Sequence, residues 1–272
     1  MDNVYDHDSH VFYVTSQGYA GDHFYSWFSK ALNAHPEMFV YLANEGSRPK
    51  YFDERSRSDR PDILKFTKFI SDVGRTYLAT GDCFSYRAHK MQPLVDTYGD
   101  EVRWVNLIRH PYVWLYFYVR WRATNMRMGS SKTKPLEHEW NIVEHELYKG
   151  LKPYTKDDVE VWAFYRGLTF LNHHMMKDLS VDIWHVKLED IVSSKDKFKE
   201  LVSYLTHNRV EYDENTLNLI YSWRYEPFRG EDKVFVTAKT QRDSYEEWQL
   251  QAIEKIVSPE AKLKFSEIGY EL

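Results

Sequence analysis

Short runs of β-branched and aromatic residues alternate along this chain with longer segments of helical character. The clearest run, residues 102–108 (VRWVNLI), is too apolar for a strand that faces solvent. Similar runs at 11–15, 75–79 and 181–186 are separated from it by segments long enough to form helices. This alternation predicts βα units around a parallel sheet, because parallel strands need a crossover connection between them.

The segments between these runs carry helix signals. Helices are predicted over residues 22–33, 60–73, 87–97, 111–126 and 156–179, with two more after the run at 181–186. The last helices are predicted near Ser244 and at 258–260 (SPE), where a serine N-cap precedes a proline. We predict a loop-rich substrate or partner insertion at 128–155 and an irregular basic segment at 224–242. We therefore expect one α/β domain over residues 1–272, with a central parallel sheet flanked by helices.

Composition excludes several classes of protein. The 272 residues carry a net charge of −5, whereas a general nucleic-acid binder normally shows a basic face. Cys83 is the only cysteine, which excludes an intramolecular disulfide and a multi-cysteine zinc site. The N-terminus lacks the basic and apolar regions of a signal peptide, and the longest strongly apolar run, 112–119, is too short to span a bilayer. We expect a cytoplasmic protein that binds neither nucleic acid nor membrane.

The turn between the first strand and the first helix is the leading candidate site. In a parallel α/β sheet this turn is where oxyanions commonly bind, because backbone N–H groups and the helix dipole converge there. Here it reads SQGYAGDHF over residues 16–24, and its two glycines let the backbone approach a ligand closely. From these residues alone, a glycine turn with a purely structural role is the alternative.

Four blocks of the sequence, in the right order, resemble the sulfotransferase family, especially its bacterial members. They are residues 11–38, 105–111 (VNLIRHP), 186–191 (VKLEDI) and 248–270. The second block looks like the family's strand that ends in an arginine, a variable residue and proline, and the third looks like its strand followed by a Glu-Asp pair. The resemblance leaves out the 40–75 region and the insertion, and it implies a P-loop-like three-layer α/β fold.

The resemblance also implies a reaction and a donor. The family transfers a sulfuryl group from 3′-phosphoadenosine 5′-phosphosulfate (PAPS) to a hydroxyl or amine by in-line attack, without a required metal. By resemblance, Arg109 pairs with the 3′-phosphate, since a guanidinium fork meets two phosphate oxygens, and Phe24 packs against the adenine. Arg229 and Gly230 look like a shortened form of the family's C-terminal loop over the nucleotide. The residues implied to hold the phosphosulfate are Gln17, Gly18, Tyr19, Ala20, Gly21, Asp22 and His23.

Three departures from the family's pattern bear on this implied site. Tyr19 stands where the family has a cation that neutralises charge as the donor bond breaks. Asp22 and His23 replace a Ser/Thr pair, and Phe117 replaces a serine ligand of the 3′-phosphate. A carboxylate about 4 Å from a phosphate is repelled by about 4 kcal/mol at a surface-like dielectric, so Asp22 opposes donor binding unless cations compensate. The candidate compensating cations are Arg229, Lys233, Lys239 and Arg242.

Two residues are candidates for the catalytic base. His23 lies in the turn, and an imidazole that titrates near neutrality suits removal of a proton from an acceptor hydroxyl. Asp82 lies at the end of the strand before the arginine block, a position where members of the family often have His, Glu or Asp. The sequence leaves both open, along with a structural role for either.

Three functions follow from these observations. The first is a PAPS-dependent sulfotransferase acting on a small-molecule or carbohydrate acceptor. The second is a non-catalytic protein on the same fold that recognises a nucleotide or carbohydrate, for example through residues 128–155. The third keeps group transfer but uses Asp22 to hold Mg²⁺ against a nucleoside triphosphate. The sequence specifies neither the acceptor nor the oligomeric state.

Overall fold

Five parallel strands form one sheet in the computed structural model of this chain. They are β1 (His10–Ser16), β2 (Met38–Tyr41), β3 (Ala79–Phe84), β4 (Arg103–Ile108) and β5 (Ile183–Lys187). Their order in the sheet is β2-β3-β1-β4-β5, and every neighbouring pair is parallel. The structure describes residues 10–16, 22–41, 77–84, 92–127, 150–152, 158–172, 180–223 and 238–272. The predicted α/β class, with a central parallel sheet flanked by helices, is confirmed.

The described part of the chain also holds ten α-helices. They are α1 (Asp22–Leu32), α2 (Gln92–Tyr98), α3 (Pro111–Arg127), α4 (Val159–Leu171), α5 (Leu188–Ser193), α6 (Lys195–Leu205), α7 (Glu214–Ser222), α8 (Ala238–Asp243), α9 (Glu247–Ile256) and α10 (Pro259–Glu267). Within these ranges, no helix has the length and apolar character needed to cross a bilayer.

Two compact units contain these elements. The first lies within residues 1–108 and 176–233 and holds all five strands with α1, α2, α5, α6 and α7. The second lies within residues 109–175 and 234–272 and holds α3, α4, α8, α9 and α10. The single domain expected over residues 1–272 stays a prediction.

The core of the first unit lies on one face of the sheet. Side chains alternate along each strand, so Val14, Val105 and Val186 share this face, where they join one buried apolar cluster. The indole of Trp27, from α1, packs edge-on against the ring of Tyr221 at 5.7 Å between ring centres and donates a hydrogen bond to the Ile220 carbonyl at 3.3 Å. Helices α1, α6 and α7 thereby cover this face with apolar side chains.

The core of the second unit is built largely from aromatic rings. Trp114 and Tyr118 stack at 4.9 Å between ring centres, and both are 1% exposed. Trp248 from α9 packs edge-on against Phe164 and Tyr165 of α4, at 5.2 and 5.8 Å. Aromatic rings suit such a core, because they bury large apolar areas and favour this edge-on geometry.

The structure corrects the position of the strand predicted at residues 75–79. The prediction placed a strand at 75–79, whereas β3 begins at Ala79 and ends at Phe84. Gly81 and Asp82 have low strand propensity, so the sequence did not predict a strand over this segment. Glycine is required there because a β-carbon on Gly81 would lie 2.0 Å from Cε2 of the Phe12 ring.

Several other boundaries differ from the prediction. Strand β2 was not predicted, since its four residues are too few to show a period. Helix α4 ends at Leu171 rather than near 179, and part of the basic segment at 224–242 is helical, as α8. Helix α10 begins as predicted, with the Ser258 side chain accepting a hydrogen bond from the Ala261 amide. The predicted helix at 60–73 and most of the insertion at 128–155 lie outside the described residues.

Candidate functional site

A row of polar residues crosses the sheet near the carboxyl ends of three strands. Thr15 of β1 pairs in register with Asn106 of β4, which in turn pairs with His185 of β5. Each is adjacent in its strand to one of the core valines, so all three lie on the sheet face opposite that core. In open α/β sheets, ligands bind outside the carboxyl ends of the strands. We therefore take this edge of the first unit as the candidate site.

A side-chain contact joins two members of the row, Asn106 and His185. Nδ2 of Asn106 lies 3.2 Å from Nδ1 of His185. Thr15 and Asn106 are each 2% exposed, whereas His185 is partly exposed. Burial of an amide costs free energy unless it is hydrogen-bonded, and the contact with His185 meets part of this requirement for Asn106.

A positive charge lies two residues beyond His185, at the carboxyl end of β5. Lys187 is the last residue of β5, pairs in register with Ile108, and lies on the same face as His185. Helix α5 follows directly, with Glu189 and Asp190 in its first turn. The candidate site thus contains a lysine, and two carboxylates follow it in the chain.

The structure locates only part of the turn predicted to hold the donor. Residues 17–21 lie outside the described residues, and so do Arg229 and Gly230. Asp22, His23 and Phe24 lie in the first turn of α1, where the backbone is described and the side chains are not. Their roles therefore stay predictions.

Asp82, the second candidate base, lies within β3. It pairs in register with Tyr13 of β1 and Tyr41 of β2. Asp82 therefore lies two residues before Phe84, the residue of β3 that pairs with Thr15. Only its backbone is among the described features, and its role as base stays a prediction.

Arg109 lies in the second unit, at the start of the segment that leads into α3. Its guanidinium carbon is 4.3 Å from the centre of the Phe117 ring, and Phe117 is 6% exposed. The phenylalanine that replaces the family's serine therefore makes a cation–π contact with the arginine that the resemblance singles out. His110 accepts a hydrogen bond at Nδ1 from the Tyr112 amide at 3.3 Å, at the N-terminus of α3.

A second cluster of titratable groups lies at the opposite, amino end of β1 and β4. The rings of His10 and His207 stack at 4.3 Å between centres, and Nε of Arg103 donates to Nε2 of His207 at 3.1 Å. The pKa of His10 is lowered by burial and by the positive charges of His207, Arg209 and Arg103. Burial, Arg103 and Arg209 likewise lower the pKa of His207.

Sequence reasoning missed the polar row because it treated these strands as apolar runs. The available signal was the alternation itself: Thr15, Asn106 and His185 each interrupt a strand one or two residues before its end. Within the ranges that the structure describes, no group of three or more His, Cys, Asp or Glu residues is placed to hold a metal ion.

Neither a family model nor a curated protein matches this sequence. The structure is similar to a sulfotransferase from Alicyclobacillus acidocaldarius, with 13% sequence identity and a TM-score of 0.41, covering 79% of this chain and 91% of that one. It is also similar to the sulfotransferase domain from the curacin biosynthetic pathway, with 14% identity and a TM-score of 0.36, covering 97% and 98% of the two chains. Similarities this low assign neither a family nor an activity to this chain.

Proposed function

We propose that this protein is a sulfotransferase that moves the sulfuryl group of PAPS to a hydroxyl or amine of a small-molecule or carbohydrate acceptor. The observation that carries the proposal is the parallel pairing of β1 with β4, in which Ser16 is in register with Leu107. The two strands end at one edge of the sheet, and each leads into a block that resembles a donor-binding segment of the family. The polar row of residues at this edge supports an oxyanion site there.

The proposed reaction is an in-line displacement at sulfur. The acceptor oxygen or nitrogen forms a bond to sulfur while the bond from sulfur to the bridging phosphate oxygen breaks. The acceptor proton passes to a base, for which His23 and Asp82 are the candidates, and adenosine 3′,5′-bisphosphate leaves. Backbone N–H groups of the turn at 16–24 would stabilise the charge on the donor.

Arg109 is proposed to pair with the 3′-phosphate of the donor. Its contact with the Phe117 ring, with 4.3 Å between the guanidinium carbon and the ring centre, restricts where the guanidinium can point. A cation–π contact of this kind contributes about 0.5–2 kcal/mol. Phe117 would therefore serve as an orienting surface for Arg109 in place of the serine ligand.

The test is thermal unfolding with and without adenosine 3′,5′-bisphosphate, the desulfated donor. A ligand at 100 times its Kd stabilises the native state by about 2.7 kcal/mol, and at this size each kcal/mol raises the midpoint by about 2–4 °C. We expect a shift of several degrees in the wild-type protein and little or none in Arg109→Ala. We expect an intermediate shift in Arg109→Lys, which keeps the charge but loses the fork.

Arg120→Ala is the matched control. Arg120 is also an arginine of the second unit whose guanidinium lies near an aromatic ring, that of Tyr116 at 5.3 Å, but it is exposed. Its removal should leave the ligand-induced shift unchanged. A wild-type protein that shows no shift at millimolar ligand would remove the proposal, and an equal shift in Arg109→Ala would remove Arg109 from the site.

Binding and turnover together separate the rival functions. If the protein binds adenosine 3′,5′-bisphosphate but does not form it from PAPS with any of a panel of acceptors, a non-catalytic nucleotide-binding protein is favoured. Stabilisation by a nucleoside triphosphate that requires Mg²⁺ would favour the metal-dependent alternative with Asp22. A chelator that leaves nucleotide binding unchanged would remove that alternative.

A further inference from the structure

The hydrogen bond between Asn106 and His185 determines which ring nitrogen of the histidine carries the proton. The nitrogen of an amide side chain can only donate, so at 3.2 Å Nδ2 of Asn106 donates to Nδ1 of His185. A neutral imidazole that accepts at Nδ1 carries its hydrogen on Nε2. A protonated ring, with hydrogen on both nitrogens, cannot accept this hydrogen bond.

The surroundings of the pair suit an anionic group. Lys187 contributes a positive charge two residues after His185 on the same face. Two carboxylates follow Lys187 closely in the sequence, Glu189 and Asp190, in the first turn of α5. The polar row lies at the carboxyl ends of parallel strands, where oxyanions bind in sheets of this class.

We propose that His185 acts as a neutral hydrogen-bond donor, through Nε2–H, to a sulfuryl or phosphoryl oxygen of the bound ligand. Asn106 is the positioning residue that holds the ring in this tautomer. The inference rests on the proposed function for the identity of the donor compound, but its chemistry requires only an oxyanion. A neutral donor of this kind stabilises developing negative charge without transferring its own proton.

The tautomer is measured directly by nitrogen NMR of protein labelled with ¹⁵N-histidine. The chain has 12 histidines, and the resonances of His185 are assigned as those missing from His185→Gln. We expect a neutral ring with hydrogen on Nε2 and an unprotonated Nδ1, and a change in the Nε2–H resonance on titration with adenosine 3′,5′-bisphosphate or inorganic sulfate. A ring with hydrogen on Nδ1, or no response to either anion, would overturn the inference.

Comparison of His185→Gln with His185→Leu separates a hydrogen-bond donor from a packing residue. His185→Gln keeps an N–H near the position of Nε2, so it should retain much of the anion affinity, whereas His185→Leu should lose about tenfold, which is about 1.4 kcal/mol. Equal losses in the two variants would indicate packing alone. Since His185 is only partly buried, both variants are expected to fold.

Asn106→Asp inverts the tautomer without removing the hydrogen bond. A carboxylate only accepts, so Nδ1 must then carry the hydrogen, and a ring that is neutral has none on Nε2. We expect the exchanged tautomer in the nitrogen spectrum and weaker anion binding. If Asn106→Asp fails to fold, Asn106→Leu tests the same point, because without the amide the ring is no longer held to one tautomer.

These measurements distinguish failure of the donor role of His185 from failure of the sulfotransferase proposal. If the Nε2–H resonance responds to sulfate but the protein does not bind the bisphosphate, the oxyanion donor stands and the sulfotransferase proposal fails. If the bisphosphate stabilises the wild-type protein and His185→Leu equally, the proposal stands and the donor role of His185 fails.

Discussion

At the scale of single residues, polar side chains inside an apolar sheet carry the most information about this protein. Asn106 is nearly inaccessible to solvent and yet lies beside Val105 and Leu107, so its amide must be hydrogen-bonded within the protein. His185 satisfies part of that requirement from the neighbouring strand. A buried asparagine in a strand therefore identified a pair that no local motif suggested.

The histidines of the first unit should make stability depend on pH. The pKa values of His10, His35 and His207 all lie below the ordinary value of 6.5, with burial as the largest cause. The folded state then binds these protons more weakly than the unfolded state, so stability is fully present above about pH 6.5 and falls as the pH drops below it. Chemical denaturation between pH 7.5 and pH 5 is expected to show this decline.

Arg103→Met tests the charge contribution to this effect. Removal of the guanidinium should raise the pKa of His207 and of His10 in an NMR titration, and should reduce the decline in stability. His35 is the internal control, because Glu37 and Asp213, rather than Arg103, act on its pKa. Tyr204 also lies beside this arginine, with 5.0 Å between the guanidinium carbon and the ring centre, and both Arg103 and Asp182 act on the pKa of Tyr204. Unchanged pKa values for His10 and His207 would show that Arg103 does not set them, which would leave burial and the charge of Arg209 as the causes common to both.

At the scale of secondary-structure elements, the packing of α3 against α4 depends on Gly167. A β-carbon at this position would lie 2.4 Å from Cδ1 of Leu115 and 3.0 Å from Cδ1 of Tyr118. Both neighbours are at most 1% exposed, so neither has open space to move into. The glycine is therefore kept at the cost of helix propensity, which favours alanine by about 1 kcal/mol.

Gly167→Ala should destabilise the protein despite this gain in propensity. Overpacking of a core commonly costs about 1–3 kcal/mol, and we expect a net loss of about 1 kcal/mol or more in the free energy of unfolding by urea. A double-mutant cycle with Leu115→Ala provides the control, because removal of the opposing methyl groups should relieve the clash. The loss caused by Gly167→Ala should then disappear in the Leu115→Ala background, and additive effects would contradict this explanation.

At the scale of the whole molecule, the single cysteine reports on opening of the first unit. Cys83 is 0% exposed, and burial raises the pKa of its thiol well above the ordinary range. The thiolate is the reactive form, so a thiol reagent should modify Cys83 only when β3 opens. We expect the labelling rate at pH 8 to rise with urea in parallel with unfolding.

Val14→Ala provides the quantitative test of this prediction. Val14 pairs in register with Cys83 and is fully buried, so its truncation should cost about 2 kcal/mol and increase labelling about 30-fold when opening is rapid. Leu219→Ala is the control, since Leu219 is 53% exposed and its truncation should leave the rate unchanged. Rapid labelling of the wild-type protein without urea would show that β3 opens locally.

The amino-acid sequence by itself determined the α/β class, the strands β1 and β4, the helix that begins at Pro111 and the serine cap of α10. These features depend on neighbouring residues, because hydrophobic periodicity and capping act over one or two turns. Only the tertiary structure decided the strand order, the position of β3 and the pairing of Asn106 with His185, which are 79 residues apart. Register and close packing are interactions between distant segments, so no local pattern specifies that the Phe12 ring requires a glycine at position 81.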